Sequence, residues 1–374
     1  MSHIEYRLYF NNTPATREQL DRVEEIVVEQ AVDMAWEARL KVPIGTDAQG
    51  EWTGEADSIF ADFTPVRVEL KVGDSGFVPL IDGPVVGRDD QTNTEPGQGM
   101  MTVVVQDDSV FLNREERLFR FDDQLDHEIA AALFEEIAQI TETEIETTPA
   151  PTSQLTPAVA ERGTAMTLLR SLARRQGLHA YVLPGTAPGE SIGCFKAFTT
   201  EPSSLPPLRL TGPERNLAMF SPNEDAQRPA SGTTYSLSLF SKNVTQRTSS
   251  FSDLNQQGPE TSFTDEANTA TQILSPRYGD SVDLDRLVAG EAERMSYDAQ
   301  VRGSVLGSYY QGILRPYLVV SVQGVNARRS GNYLIASVTH TLSRFDYTQD
   351  FSLMRNARSS GASGGLTDLL GGIF

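Results

Sequence analysis

Residues 26–42 carry hydrophobicity with a period of two. Ile26, Val28, Val32, Met34, Trp36, Leu40 and Val42 share one parity, and Glu29, Asp33, Glu37, Arg39 and Lys41 occupy the other. Successive side chains of a strand point to opposite faces, so the pattern predicts one long, half-buried strand. Straight, it would exceed ~50 Å at ~3.3 Å per residue, which predicts a bend or bulge and a helical first turn. Strands so long suit barrels better than sandwiches. A second alternating run, Val66, Val68, Leu70 and Val72, meets the turn Gly73-Asp74-Ser75-Gly76 and continues from Val78 to Ile81, which predicts a hairpin. Val85-Val86 and residues 102–112 read as further strands, with an exposed loop at 87–99.

After residue 120 the period changes. Leu125, Ile129, Ala132, Leu133, Ile137 and Ile140 recur at spacings of three and four, predicting an amphipathic helix capped by Asp122 or Asp123. Residues 141–154 are acidic and rich in Pro and Thr, and read as a solvated connector. A second helix is predicted from Pro157 to Arg175, stopped by Gly177, with Leu168, Leu169 and Leu172 as its buried stripe. Strands at 179–183 and 192–198 complete a small α/β module. Alternation returns at Tyr235, Leu237 and Leu239, and a polar stretch then runs to Thr271. A short helix at 285–299 and strands at 301–311, 317–323, 333–342 and 347–355 follow. The expected class is α+β, mainly β. The β-rich segments are 1–118 and 233–357, the α/β insert at 119–232 contains two of the helices, and 358–374 is a Gly/Ser-rich tail with an apolar end.

The chain of 374 residues carries 51 Asp and Glu against 31 Lys and Arg, a formal net charge of −20. That balance disfavours stable nucleic-acid binding, which depends on neutralising phosphates. The N-terminal segment is polar and no apolar run approaches the ~20 residues of a bilayer span, so cytoplasmic assembly without membrane insertion is expected. A single cysteine, Cys194, excludes an intrachain disulfide, and four histidines (His3, His127, His179, His340) leave little for a metal site. No cofactor and no metal is expected. Gly189-Glu190-Ser191-Ile192-Gly193 matches G-x-S-x-G, yet a Pro/Gly turn precedes the serine and a strand follows it, the reverse of a nucleophile elbow. Gly73-Asp74-Ser75-Gly76 has only His3 upstream to serve Ser75 as a base, so a hairpin turn explains it better. His127-Glu128 begins a zinc-helix motif, but Ala131 stands where the second ligand belongs. His340 lies on the apolar parity of its strand and reads as a hydrogen-bonded core histidine.

Four segments carry a family resemblance: Gly303-Ser304-Val305-Leu306-Gly307, Ile313-Leu314-Arg315-Pro316-Tyr317, Gly331-Asn332-Tyr333-Leu334-Ile335 and Ser337-Val338-Thr339-His340-Thr341-Leu342. Their order resembles the late control protein D family of phage tail hubs and the matching region of VgrG-type spikes. Residues 168–182 are similar to the helix-then-strand segment those proteins carry between their two barrels, and residues 121–138 resemble the helix after the first. The resemblance implies two related, tail-tube-like β-barrel domains per chain and a homotrimer presenting a pseudo-sixfold ring. It further implies a structural baseplate hub of a contractile injection machine, without catalytic residues. Expected partners are an inner tube or tube-initiator protein, a separate spike, baseplate wedge proteins, and a tape measure or cargo in the lumen. The chain ends about twenty residues after the last strand, with no needle of its own. Leu366, Leu369, Leu370, Ile373 and Phe374 are therefore the candidate docking residues for spike or neighbouring subunit. The excess of acid predicts an acidic lumen wall. The competing readings are a tail-associated hydrolase using Ser191 or Ser75, and another baseplate or distal tail structural protein.

Overall fold

The computed structural model describes residues 4–46, 52–53, 58–93, 98–150, 158–224, 229–237, 242–250, 254, 256–261, 270–274, 277–278, 284–297, 299–307, 309–344 and 346–359. The chain is mainly β, built on one large curled antiparallel sheet. Strands β1 (Ile4–Phe10), β2 (Glu25–Ala31), β3 (Glu37–Thr46), β4 (Pro65–Val72), β5 (Val78–Gln91) and β6 (Gly99–Gln106) form its first part. A short pair follows, β7 (Arg117–Asp122) with the later β9, and then α1 (Asp126–Glu135) and β8 (Ile140–Ile145). Next come β9 (Ala158–Gly163), α2 (Ala165–Gln176), β10 (His179–Pro184) and β11 (Ser191–Lys196). Strands β12 (Leu208–Arg209) and β13 (Leu217–Glu224) return to the large sheet. A side sheet contains β14 (Pro229–Leu237), β15 (Val244–Ser250) and β16 (Ala270–Ile273), with α3 (Leu284–Ser296) packed on it. The large sheet is completed by β17 (Ala299–Val305), β18 (Val319–Gln323), β19 (Gly331–Ser343) and β20 (Tyr347–Arg355).

The predicted long strand is a hairpin. Ile26 pairs with Leu40 and Val28 with Ala38, so residues of one parity face their own parity across the turn. The alternation therefore runs through the turn unbroken, which is why two strands read as one. The turn breaks the rule locally: Asp33 takes φ 57° and Met34 is exposed while Trp36 is buried. The expected helical start is also absent from β2, and a helical turn capped by Thr16 lies earlier, at Arg17–Asp21.

Other boundaries move for physical reasons. Helix α1 begins at Asp126, because Asp123 adopts φ 61°, and it ends before Ile137. The acidic connector is ordered at its start: residues 140–145 form a parallel strand against β11 with Glu142 and Glu144 facing solvent. Strand β9 occupies 158–163, where a helix was expected, and α2 starts only at its cap Thr164. Gly177 ends α2 with φ 73°, as the sequence predicts. The expected strands at 85–86 and 102–112 merge into β5 and the shorter β6, and a helical turn covers Ser109–Leu112. Strand β17 stops at Val305, short of residue 311. Among the described residues no helix is long and apolar enough to cross a membrane.

The sheet runs in the order β13-β17-β20-β19-β2-β3-β6-β5-β4-β1, and β18 and β12 continue from β19 as β4 and β1 continue from β5. Two stretches of this order have the same topology: β2-β3-β6-β5-β4 and β13-β17-β20-β19-β18. The likeness extends to irregularities. A one-residue bulge lies between Val85 and Gly87 in β5 and between Ile335 and Ser337 in β19. Beside it, the N–H of Phe63 donates to the Val85 carbonyl, and the N–H of Tyr317 donates to the Ile335 carbonyl. Both aromatic residues have positive φ, 60° and 66°. Matching registers then align Ala38 with Val301 and Val28 with Pro222. The chain thus contains two copies of one five-strand unit, joined where β19 pairs with β2.

Helix α3 docks on the end of α2 through two glycines. A Cβ on Gly290 would lie 2.4 Å from the Gly177 Cα and 2.8 Å from its nitrogen. Backbone cannot yield as a flexible side chain does, so Gly290→Leu is expected to cost about 1–3 kcal/mol through overpacking. Limited proteolysis of 229–296 at a temperature that spares the wild type is the check.

Candidate assembly surface

The two repeats share one solvated face. Along β19, Thr339, Thr341 and Ser343 alternate with the buried Val338, His340 and Leu342, and along β2 the outward positions are Glu25, Val27 and Glu29. Strand β3 adds Glu37, Arg39 and Lys41. Ion pairs tie these neighbours, Lys41 to Glu25 across the strands at 2.6 Å and Arg39 to Glu37 along β3 at 2.7 Å. Exposed or half-exposed pairs of this kind contribute only about 0.2–1 kcal/mol each, so they tune the surface more than they hold the sheet. On β20 and β17 the same face shows Asp350, Ser352 and Arg302, and a shallow hollow of about 470 Å³ lies there, floored by Gly303 and edged by Met219 and Met354.

The seam between repeats is specified by buried polar groups. His340 is fully buried; its Nδ1 bonds the Tyr347 hydroxyl at 2.8 Å and its Nε2 bonds Gln30 Oε1 at 3.2 Å. Gln30 in turn donates to the Leu80 carbonyl. A chain of bonds therefore links β20, β19, β2 and β5. Burial pushes the His340 imidazole down to about 3, so it is neutral. This is the core histidine expected from its strand parity.

Two further clusters fasten the insert. Arg67, 1 % exposed, donates through Nε to Glu69, through Nη1 to Asp82 and the Ala187 carbonyl, and through Nη2 to the Gly185 and Thr186 carbonyls. The Gly189 N–H completes the Asp82 shell at 2.9 Å. The second cluster centres on Asp33 at the hairpin turn, which accepts from His179 Nδ1 at 2.8 Å and from Arg294 Nη1 at 3.3 Å. Burial pushes the Asp33 carboxyl up, but His179 and Arg294 outweigh it and hold it below its ordinary value. Burial holds the His179 imidazole down despite Asp33. Its ring stacks on Phe198, and Tyr181 stacks on Tyr317 beside it. His179 and Asp33 thus act as a clasp between insert, seam and α3.

The sequence motifs resolve structurally. Ser191 is 1 % exposed and donates to Asp108 Oδ2 at 2.7 Å, with a carboxyl and not an imidazole as its partner. Desolvation raises the Asp108 carboxyl to about 7 and Asp107 to about 6. The Ser75 hydroxyl bonds the Val72 carbonyl in the hairpin turn. His127 Nδ1 accepts from the Thr148 N–H. Cys194 is buried and burial pushes its thiol up to about 12, so it packs as an inert apolar group. Among the described residues no group of His, Cys, Asp and Glu could hold a metal ion. His3, Leu366, Leu369, Leu370, Ile373 and Phe374 lie outside the described residues.

Sequence reasoning missed Arg67, Asp82 and Asp108. Arg67 and Glu69 sit on the polar parity of β4, where a solvated face was the natural reading. A loop from the insert buries that face instead.

Comparison with solved structures identifies the architecture. A 43 kDa tail protein of prophage MuSo2 from Shewanella oneidensis superposes with a TM-score of 0.63 at 14% identity, covering 94% of this chain and 98% of that one. The fold is that of phage tail proteins. A tail protein from Neisseria meningitidis MC58 gives 0.61 at 14% identity over 94% and 96% of the two chains. An E. coli component of the type VI secretion system, described as structurally similar to T4 bacteriophage tail proteins, gives 0.55 at 11% identity over 94% and 76%. No protein-family profile matches the sequence, and no curated protein does. The tail fold is therefore shared where sequence identity has fallen to this level.

Proposed function

We propose that this chain is the baseplate hub of a contractile injection machine, a homotrimer that adapts a hexameric inner tube to a separate trimeric spike. The observation that carries this reading is the internal repeat. Two copies of one unit in each of three subunits present six similar units to a sixfold tube, while the trimer keeps threefold symmetry for the spike. The division into a first barrel (1–118), an insert (119–232) and a second barrel (233–357) belongs to the same proposal, with β12 and β13 supplied to the second unit by the insert. In this reading the shared solvated face lines the lumen. Its wall would then be mixed in sign, Glu25, Glu29, Glu37 and Asp350 against Arg39, Lys41 and Arg302, and not uniformly acidic.

The test is a reconstruction of the assembled particle. Three copies between tube and spike support the hub, whereas six copies in a ring make it a wedge or distal tail protein. The apolar end of the tail, Leu366, Leu369, Leu370, Ile373 and Phe374, is proposed to dock the spike or a neighbour. Deleting 359–374 is expected to lower spike capture at least tenfold and leave the trimer intact. Unchanged capture would remove that role.

A further inference from the structure

A groove lies where the chain passes from β12 to β13. Pro206, Pro207, Pro213 and Tyr309 give it apolar walls and the exposed Arg215 joins them. Its volume of about 460 Å³ falls within the ~300–1,000 Å³ of ordinary ligand sites. The walls are fixed from behind. The buried Asn216 holds the 206–209 segment, its amide donating to the Pro207 carbonyl at 3.0 Å and accepting from the Arg209 N–H at 2.8 Å. The hydroxyl of the buried Tyr310 donates to the Pro206 carbonyl at 3.1 Å. Tyr309 is presented outward by a turn in which its N–H donates to the Leu306 carbonyl, and it is 68 % exposed. A large ring held out of the core beside these prolines is a ready surface for apolar side chains, and its fixed walls lower the entropic cost of binding. Within the lining Glu214 is paired with Arg209, whereas among the described residues the Arg215 side chain has no carboxylate partner.

The segment that follows residue 359 starts within reach of this groove. Ser359 donates to the Ser330 carbonyl at the head of β19 and accepts from Arg355 Nη2 at 3.1 Å. Val322 of β18 stands between Gly331 of β19 and Leu208 of β12, so the groove begins two strand spacings away, ~10 Å. Residues 360–365, Ser-Gly-Ala-Ser-Gly-Gly, can span up to ~20 Å, which brings Leu366 to the groove with slack. Beyond them come Leu366, Leu369, Leu370, Ile373 and Phe374, and Asp368 is the only charged residue of 359–374. Segment and groove are therefore complementary, apolar side chains against proline and tyrosine and a single acid against an unpaired base.

We propose that residues 366–374 occupy this groove in their own chain, with apolar side chains on Pro206, Pro207 and Tyr309 and the Asp368 carboxylate on the Arg215 guanidinium. Tethering makes the contact intramolecular, at an effective concentration on the order of millimolar, so individually weak contacts suffice to keep the groove filled. Filling it also covers apolar side chains that would otherwise form an exposed patch on the free chain. A spike or a neighbour that takes the same residues competes with the groove for them. The site involves the tail residues of the docking role proposed above but does not rest on that role, and the two fail separately.

The test uses the full-length chain bearing Thr367→Cys together with Pro213→Cys, treated with a short bismaleimide and mapped by mass spectrometry. Cys194 is buried and stays silent. Thr367→Cys with Ala327→Cys is the control, because the exposed Ala327 opens the short turn beside Ser330, where the tail begins. Intrachain cross-linking at position 213 is expected to be about tenfold faster than at position 327. Tyr309→Ala should remove most of that preference. Arg215→Glu or Asp368→Lys should lower it by about threefold, and the two charge reversals combined should restore it, which a folding defect could not do. Equal rates at positions 213 and 327 overturn the site. Cross-linking between chains labelled singly at 213 and at 367, with none inside a doubly labelled chain, overturns the assignment to the same chain and gives the groove to a neighbour's tail. A groove cross-link in a chain whose spike capture survives deletion of 359–374 keeps this site and removes the docking role. Lost capture with no preference for position 213 keeps the docking role and removes this site.

Discussion

Arg67→Ala is expected to destabilise the protein by about 3–5 kcal/mol, the cost of removing one partner from a buried ion pair. The guanidinium serves Glu69, Asp82 and three carbonyls of the loop at 185–187 from a position 1 % exposed to solvent. Its loss leaves Asp82 with the Gly189 N–H alone, and burial already pushes that carboxyl up. Arg67→Lys should recover only part of the loss, since one ammonium cannot reproduce a planar fork reaching five acceptors. Denaturant unfolding gives the magnitude, and cleavage within 185–190 shows whether the insert loop is released first. Full stability of Arg67→Ala would mean that the insert is held by its apolar contacts instead. The position aligned with Arg67 in the second repeat is Ser321, so this anchor belongs to the first repeat only.

That difference explains how much the sequence disclosed. Alternation and turn residues exposed the hairpin over 66–81, though β5 runs on to Gln91 through residues that read as loop, and the stripe of Leu168, Leu169 and Leu172 with Gly177 exposed α2. These signals are local. The repeat was not legible from side chains because its two copies have diverged at the defining positions: Arg67 against Ser321, Asp90 against His340, Val28 against Pro222. What persists is backbone, namely the bulges at 85–87 and 335–337 and the positive φ of Phe63 and Tyr317. An aromatic residue gives no hint of left-handed backbone. Strand β8 was hidden for a different reason. With Glu142 and Glu144 outward, it buries little and is held by its ladder to β11. The junction carboxylates read as surface charges because the loop that buries them lies about a hundred residues away in sequence.

Acid and base should act on this protein through two buried groups that oppose one another. His340 is held at about 3, below its ordinary 6.5, by burial. Its contribution to stability is full above pH 6.5 and is lost as pH falls toward 3. Asp108 is raised from 3.8 to about 7 by burial and the nearby Asp82 and Asp107 carboxylates, against the Ser191 hydrogen bond. Its contribution is full below pH 3.8 and is lost as pH rises through 7. Each slope amounts to about 1.4 kcal/mol per pH unit where it operates. Between pH 4 and 6.5 the two oppose one another, with Asp107, raised to about 6, adding to the contribution of Asp108, and single substitutions should uncover them. Asp108→Asn removes the contribution of Asp108, so relative to the wild type its stability should fall by on the order of 3 kcal/mol on acidification from pH 6.5 to 4. His340→Gln removes the opposing contribution, so relative to the wild type its stability should rise by a similar amount over the same interval. Unfolding midpoints measured across pH for the wild type, both variants and the double variant separate the contributions. Parallel profiles for the two single variants would show that neither group titrates with folding. Because His340 sits in the seam and Asp108 at the insert junction, acid strains the joint between repeats while base strains the anchor of the insert.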